Sequence, residues 1–219
     1  MAIDGLKTHF DLLIFGAGGH AKAVSDCAAD KYPAICFISG DDSTGEWNEL
    51  PIVSEDSYSY DQWRQICRKA FVAIGNSSRR AMVTAKLEEQ GFDIVTLIHP
   101  SAVVSPSARL SVGVLVGPNA VINADATIGK GSIINTGVII EHECCVGEFS
   151  HLSPGSIICG GTRIGESCWI CTGATVSDHV VIGNRTIVGA GAVVLTDLPD
   201  DVLAAGIPSK IMKYLDKEN

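Results

Sequence analysis

Two histidines nine residues apart, His142 and His151, are the first candidates for proton-transfer chemistry. Glu141 and Glu143 flank His142. A neighbouring carboxylate favours imidazolium, so the ring becomes a stronger general base, able to take a proton from an attacking nucleophile. A second constellation lies near the start, where Gly16-Ala17-Gly18-Gly19-His20-Ala21-Lys22 joins an apolar run to a helix-like one. Backbone N–H groups at a helix N-terminus suit a phosphate. Asp41 and Asp42 stand somewhat over twenty residues beyond this loop and superficially complete a dinucleotide fingerprint. The loop would serve NAD or the pyrophosphate of a nucleotide sugar. The segment lacks the second half of a full dinucleotide fold, which favours the sugar nucleotide. Cys168-Trp169-Ile170-Cys171 is a lone CxxC. Structural zinc normally takes four ligands, so no metal is expected.

The elements that must position these groups follow two different patterns. From Thr8 to about Leu97, the apolar runs Leu12–Phe15, Ile35–Ile38, Phe71–Ile74 and Ile94–Ile98 read as strands. They alternate with helix-like stretches at Ala21–Ala29, Asp61–Lys69 and Arg79–Gln90, and Gly91 sits where a helix-ending glycine belongs. That alternation predicts a small Rossmann-like α/β domain over residues 1–97.

Beyond Leu97 an aliphatic residue recurs every six positions, from Ile98 through Ile122, Ile140, Ile158 and Val176 to Val194. A second register four places later carries mostly small residues, including Ala120, Ser132, Cys144, Ser150, Cys168 and Ala174. A helical period cannot produce a six-residue repeat, but short strands separated by bends can, with alternate residues pointing inward. Three such strands would close one turn of a parallel prism, so residues 98–219 are expected to form a parallel β-helix. Glycines at 117, 129, 147, 165, 183 and 189 follow the aliphatic register. They are expected to supply permissive corner dihedrals. His142 lies two places past inward Ile140, at a corner, and His151 alternates outward on a strand. Neither fills a core slot. Half a coil separates them, so one prism does not readily bring them together, whereas a site shared between subunits would.

Composition excludes several classes. The 219 residues are 46% hydrophobic, enough for a substantial core, and the net charge is −9, from 16 Lys and Arg against 25 Asp and Glu. No basic run marks a nucleic-acid surface. Apolar runs break well short of a membrane span, so neither nucleic acid nor membrane is an expected partner. Eight cysteines without a recognisable signal peptide fit a reducing cytoplasm better than a disulfide scaffold.

Four segments, taken in order, resemble the NeuD/PglD group of hexapeptide-repeat sugar acyltransferases. They are Gly16 to Lys22, Ala73-Ile74-Gly75-Asn76, Leu97-Ile98-His99-Pro100-Ser101-Ala102, and the block from Ile139 to His151. The resemblance implies a left-handed β-helix, a homotrimer, and acetyl-CoA as co-substrate held between neighbouring prisms. It makes His142 the catalytic base and Glu143 the residue that orients it. The acceptor would be bound by Gly18, His20, Asp41, Asp42, Asn76 and Asn135, with His20 near phosphate and Asp42 near uridine. His151, Gly160 and Lys210 would contact acetyl-CoA, Gly160 through its backbone and Lys210, with Lys213, as a charge for CoA phosphates.

The implied reaction is N-acetylation of the 4-amino group of a UDP-linked 4-amino-4,6-dideoxy sugar destined for bacterial surface glycans. Three alternatives stand beside it. They are O-acetylation of a sialic-acid-like sugar, a zinc-dependent β-helix hydratase using His142, His151 and His179, and a non-catalytic nucleotide-sugar binding module.

Overall fold

Leu12–Phe15 (β1) and Ile35–Ser39 (β2) are buried at every position, as befits parallel strands covered on both faces. The computed structural model describes residues 9–216, in two units that divide between Leu97 and Ile98. In the first unit these strands are joined by Gly45–Trp47 (β3), Leu50–Ser54 (β4), Lys69–Val72 (β5) and Asp93–Ile94 (β6) in the order β3-β4-β2-β1-β5-β6. Only the β3–β4 pair is antiparallel. The helices are Gly19–Ala28 (α1), Tyr60–Ile66 (α2) and Ser77–Glu89 (α3).

The strand order reverses beside β1, with β2 on one side and β5 on the other. In open parallel sheets, ligands bind outside the carboxyl ends of the strands at such a point.

Several boundaries differ from the sequence expectation. The helix expected over Asp61–Lys69 stops at Ile66, because Cys67 is extended (φ −158°, ψ 133°) and Lys69 already opens β5. Its start is set by a capping box between Ser59 and Gln62. The run Ile94–Ile98 is not one strand. Asp93–Ile94 pairs with β5, whereas Leu97–Ile98 is the first strand of the second unit's sheet. The β3–β4 hairpin has no counterpart in the sequence expectation, because Gly45-Glu46-Trp47 has no apolar alternation.

The second unit is a three-sided parallel β-helix of two-residue strands stacked in three sheets. Ile122 pairs with Ile140, Ile140 with Ile158, and Ile158 with Val176, each partner lying one coil of 18 residues away. All four are 0% exposed. Full burial of such a side chain stabilises the fold by about 1.5–3 kcal/mol. Ile98 belongs to the first coil, which has a neighbouring coil on one side only, and it remains 44% exposed.

Small inward slots let polar residues serve the core. Ser132 Oγ donates to the Gly147 carbonyl at 2.9 Å, and Ser150 Oγ to that of Gly165 at 2.8 Å. The Cys168 thiol fills the same slot, 2.9 Å from the Gly183 carbonyl, and burial raises it to about 11. Cys168 is therefore a packed, protonated thiol.

The glycines at 117, 129, 147, 165, 183 and 189 do not provide the corner dihedrals. Positive φ falls instead on another register that includes Asn119, Asp125, Gly131, Glu143, Gly161 and His179. The glycines are needed because stacked coils approach closely. A Cβ at Gly117 would lie 2.9 Å from Thr136 N, and one at Gly129 would lie 2.6 Å from Glu148 N. Among the described residues no helix is long and apolar enough to cross a membrane.

Candidate active site

The first unit carries an open cleft of about 400 Å³ outside the carboxyl ends of β1, β2 and β5. Gly16 makes the fold of its rim feasible. Its φ is +123°, and a Cβ there would sit 2.7 Å from the Ala73 carbonyl oxygen. Only glycine suits that conformation and that approach. Gly18, Gly19 and His20 line the cavity where α1 begins, and no side chain caps that helix. Its first N–H groups and positive dipole end are therefore suited to phosphate.

Asp41 lines the opposite rim, accepting hydrogen bonds from the hydroxyls of Ser39 and of Ser43, the latter at 2.7 Å. These bonds hold its carboxyl down at about 2. It is a fixed anion able to accept N–H groups from a nucleobase or hydroxyls from a ribose. Asp42 is not among the lining residues. It has φ +60° and accepts a hydrogen bond from Ser54 Oγ at 2.9 Å. Asn76 caps α3, its side chain accepting the Arg79 N–H at 2.8 Å. The cation on the cavity is Arg79 itself, which sequence reading passed over as an ordinary helix residue.

Burial, reinforced by the charge of Arg80, lowers His20 from its ordinary value of 6.5 to about 4. His20 is thus neutral at pH 7 in the folded state. The unfolded chain binds its proton first as pH falls, so stability of this unit is lost progressively between about 6.5 and about 4. Hydrogen exchange of the β1–α1 segment should accelerate as pH drops through that window, after correction for the intrinsic rate, and His20→Gln should flatten the response. An unchanged slope in His20→Gln would contradict the assignment.

In the second unit, His142 and Glu143 share the turn after strand Ile139–Ile140. Glu143 occupies the left-handed region at φ +59°, and His142 Nδ1 lies 3.1 Å from Glu143 Oε2. Their side chains are 59% and 67% exposed, so the pair is open to an incoming substrate. With Nδ1–H directed to the carboxylate, Nε2 carries the free lone pair. That is the tautomer of a positioned general base.

His151 lies on another sheet, in strand His151–Leu152. Its Nε2 is 3.1 Å from Asn135 Nδ2, and its ring stacks with Trp169 at 6.4 Å and 12° between planes. Trp169 in turn donates to Ser153 Oγ at 2.8 Å. The structure therefore joins Asn135 to His151 and leaves His142 with Glu143 at a corner between the other two sheets. Sequence reading missed Trp169 and Ser153 because they meet across 16 residues of stacked coil, and neither carries a local signal beyond its register.

Gly160 lies against the His142 ring. Lys210 and Lys213 are exposed on the closing strand Lys210–Tyr214. Among the described residues no group of three or more His, Cys, Asp or Glu is arranged to hold a metal ion.

The chain matches two families, the PglD N-terminal domain over residues 11–87 and the bacterial transferase hexapeptide (six repeats) over residues 161–196. PerB from Caulobacter crescentus, solved with CoA and GDP-perosamine, is 42% identical with a TM-score of 0.88, covering 93% of this chain and 97% of that one. A variant of GDP-perosamine N-acetyltransferase from C. crescentus, solved with the same ligands, is 41% identical with a TM-score of 0.89 over 93% and 97% of the two chains. The acetyltransferase domain of PglB from Neisseria gonorrhoeae, solved with acetyl coenzyme A, is 37% identical with a TM-score of 0.86 over 93% and 100%.

Proposed function

From the premise that the chain belongs to the PglD/NeuD-type hexapeptide-repeat sugar acetyltransferases and draws its acetyl group from acetyl-CoA, we infer that it acetylates the amine of a nucleotide-linked 4-amino-4,6-dideoxy sugar. The observation that carries this reading is the His142–Glu143 pair, held at 3.1 Å on an open corner of the prism. An ammonium group cannot attack a thioester. His142 Nε2 accepts the amine proton as nitrogen adds to the acetyl carbonyl. The tetrahedral intermediate then collapses with loss of CoA thiolate, which takes the proton held on His142 Nε2 and departs as free thiol, leaving the imidazole neutral again. Glu143 keeps the ring in the required tautomer and balances its charge after proton transfer. Catalysis needs no covalent enzyme intermediate and no metal.

The first unit supplies the nucleotide grip, with the Gly16–His20 loop and Arg79 suited to the diphosphate and Asp41 suited to base or ribose. His151, held by Asn135 and Trp169, is assigned to placing the thioester, and Lys210 to the phosphates of CoA. Asn135 lines the acceptor side of the same ladder. In a homotrimer, the His142 corner of one copy would face the His151 sheet of its neighbour. That arrangement reconciles two histidines which a single prism keeps on different sides. The setting is a cytoplasmic step in bacterial surface glycan synthesis.

UDP is the carrier expected from sequence. GDP is a second reading, favoured by the 42% identical relative that holds GDP-perosamine. Release of CoA thiol from acetyl-CoA, followed with UDP-, GDP- and dTDP-linked 4-amino sugars, tests both. One carrier should exceed the others in kcat/KM by at least about tenfold, the effect of one or two base-specific hydrogen bonds. Equal turnover of all three would contradict a base-reading role for Asp41. Turnover of none would contradict the substrate class.

A further inference from the structure

The geometry points to a role for Gly160 that is distinct from contact with CoA. We propose that Gly160 is a positioning residue whose missing side chain seats the imidazole of His142, a proposal that rests on His142 being the general base. A Cβ built on Gly160 would lie 2.7 Å from Cε1, 2.8 Å from Nε2 and 3.3 Å from Nδ1 of His142. Approach to three atoms of one ring means that the imidazole reaches down one coil and lies over the Cα of Gly160.

The other reasons for glycine fail at this position. Gly161 has φ +68°, a conformation that favours glycine, but the φ of Gly160 lies outside the left-handed region. Gly117 and Gly129 face backbone of the next coil, whereas all three of the nearest neighbours of Gly160 are side-chain atoms of one histidine. The equivalent corner positions one coil before and one coil after are His142 and Asp178, so this corner of the prism accommodates side chains. Gly131 and Gly161 also meet a ring, of Phe149 and of His179, but both have positive φ, whereas at residue 160 the His142 ring stands without a backbone reason for glycine.

A methyl group at 160 cannot coexist with the ring where it stands. The backbone is fixed by ladder bonds, including the His179 N–H donating to the Gly160 carbonyl at 2.9 Å. The imidazole ends a side chain that is 59% exposed, so the ring gives way and the fold does not. Moving it misaligns Nδ1 with Glu143 and turns Nε2 away from the amine. A shift of about 1 Å in a catalytic group can reduce the rate roughly 10²-fold.

Gly160→Ala tests this directly, because it retains the backbone N–H and C=O and hence any contact that they make with CoA. The expected result is a fall in kcat of about 10- to 100-fold, with the KM for acetyl-CoA within about twofold and an unchanged thermal midpoint. In a His142→Ala background, adding Gly160→Ala should cause no further loss, since the residue acts through the ring. Wild-type kcat in Gly160→Ala, an equal loss in both backgrounds, a raised acetyl-CoA KM, or an unfolded variant would each overturn the proposal. Wild-type kcat in His142→Ala alone would instead overturn the general-base reading on which it rests.

Discussion

Replacing His142 with Ala should lower kcat by roughly 10²–10⁴, the usual contribution of a positioned general base, and leave acetyl-CoA affinity little changed. The imidazole is held by two independent features, the Glu143 carboxylate at Nδ1 and the open face of Gly160. Neither belongs to the packed interior of the prism, where Ile140 and Ile158 carry the stability. Removing an exposed ring should therefore leave the thermal midpoint in place while turnover collapses. Pre-steady-state mixing of enzyme, acetyl-CoA and acceptor separates chemistry from product release. The loss should appear in the acetyl-transfer step. If kcat stays within about threefold of wild type, His142 is only a surface residue and the proposed mechanism is wrong.

The second large effect is expected in binding. Asp41→Ala should raise the KM for the nucleotide sugar by about 10- to 100-fold, the range for one or two hydrogen bonds to a charged group, without changing the KM for acetyl-CoA. Asp41 lines the cavity with its carboxylate fixed by Ser39 and Ser43, whereas the carboxylate of Asp42 is engaged by Ser54. Asp42→Ala should therefore perturb acceptor binding less than Asp41→Ala. Isothermal titration with the unacetylated nucleotide sugar distinguishes the two positions. A larger loss at Asp42 would return the base contact to that residue, as the resemblance implied.

The β-helix could be read from sequence because its physics is periodic. A two-residue strand buries one side chain, so the same slot recurs every six residues and no tertiary information is needed to see it. Ile122, Ile140, Ile158 and Val176 stack as that register requires. Corner chemistry was less legible. Glycine in the sequence points to positive φ, yet Glu143 and His179 adopt that conformation, and Gly117 and Gly129 answer to the next coil's backbone.

The His142–Glu143 pair could be found because both residues are adjacent in sequence and outside the core slots. The His151–Asn135–Trp169 ladder could be found only in part, since its members are joined by coil stacking across 16 and 18 residues. Asn76 shows how a motif residue can act as a cap while the charge on the cavity comes from its neighbour Arg79. Asp41 and Asp42 are adjacent in sequence, and only the turn at φ +60° separates their environments.

The identity of the product tests the central claim most directly. The protein is incubated with acetyl-CoA and a nucleotide-linked 4-amino sugar, and the product is analysed by tandem mass spectrometry and two-dimensional NMR. The account predicts one acetyl group on the sugar nitrogen, stable to mild base, formed in equal amount with free CoA thiol and at a rate that falls by roughly 10²–10⁴ in His142→Ala. A base-labile ester on a sugar hydroxyl, or thiol release without an acetylated amine, would contradict it.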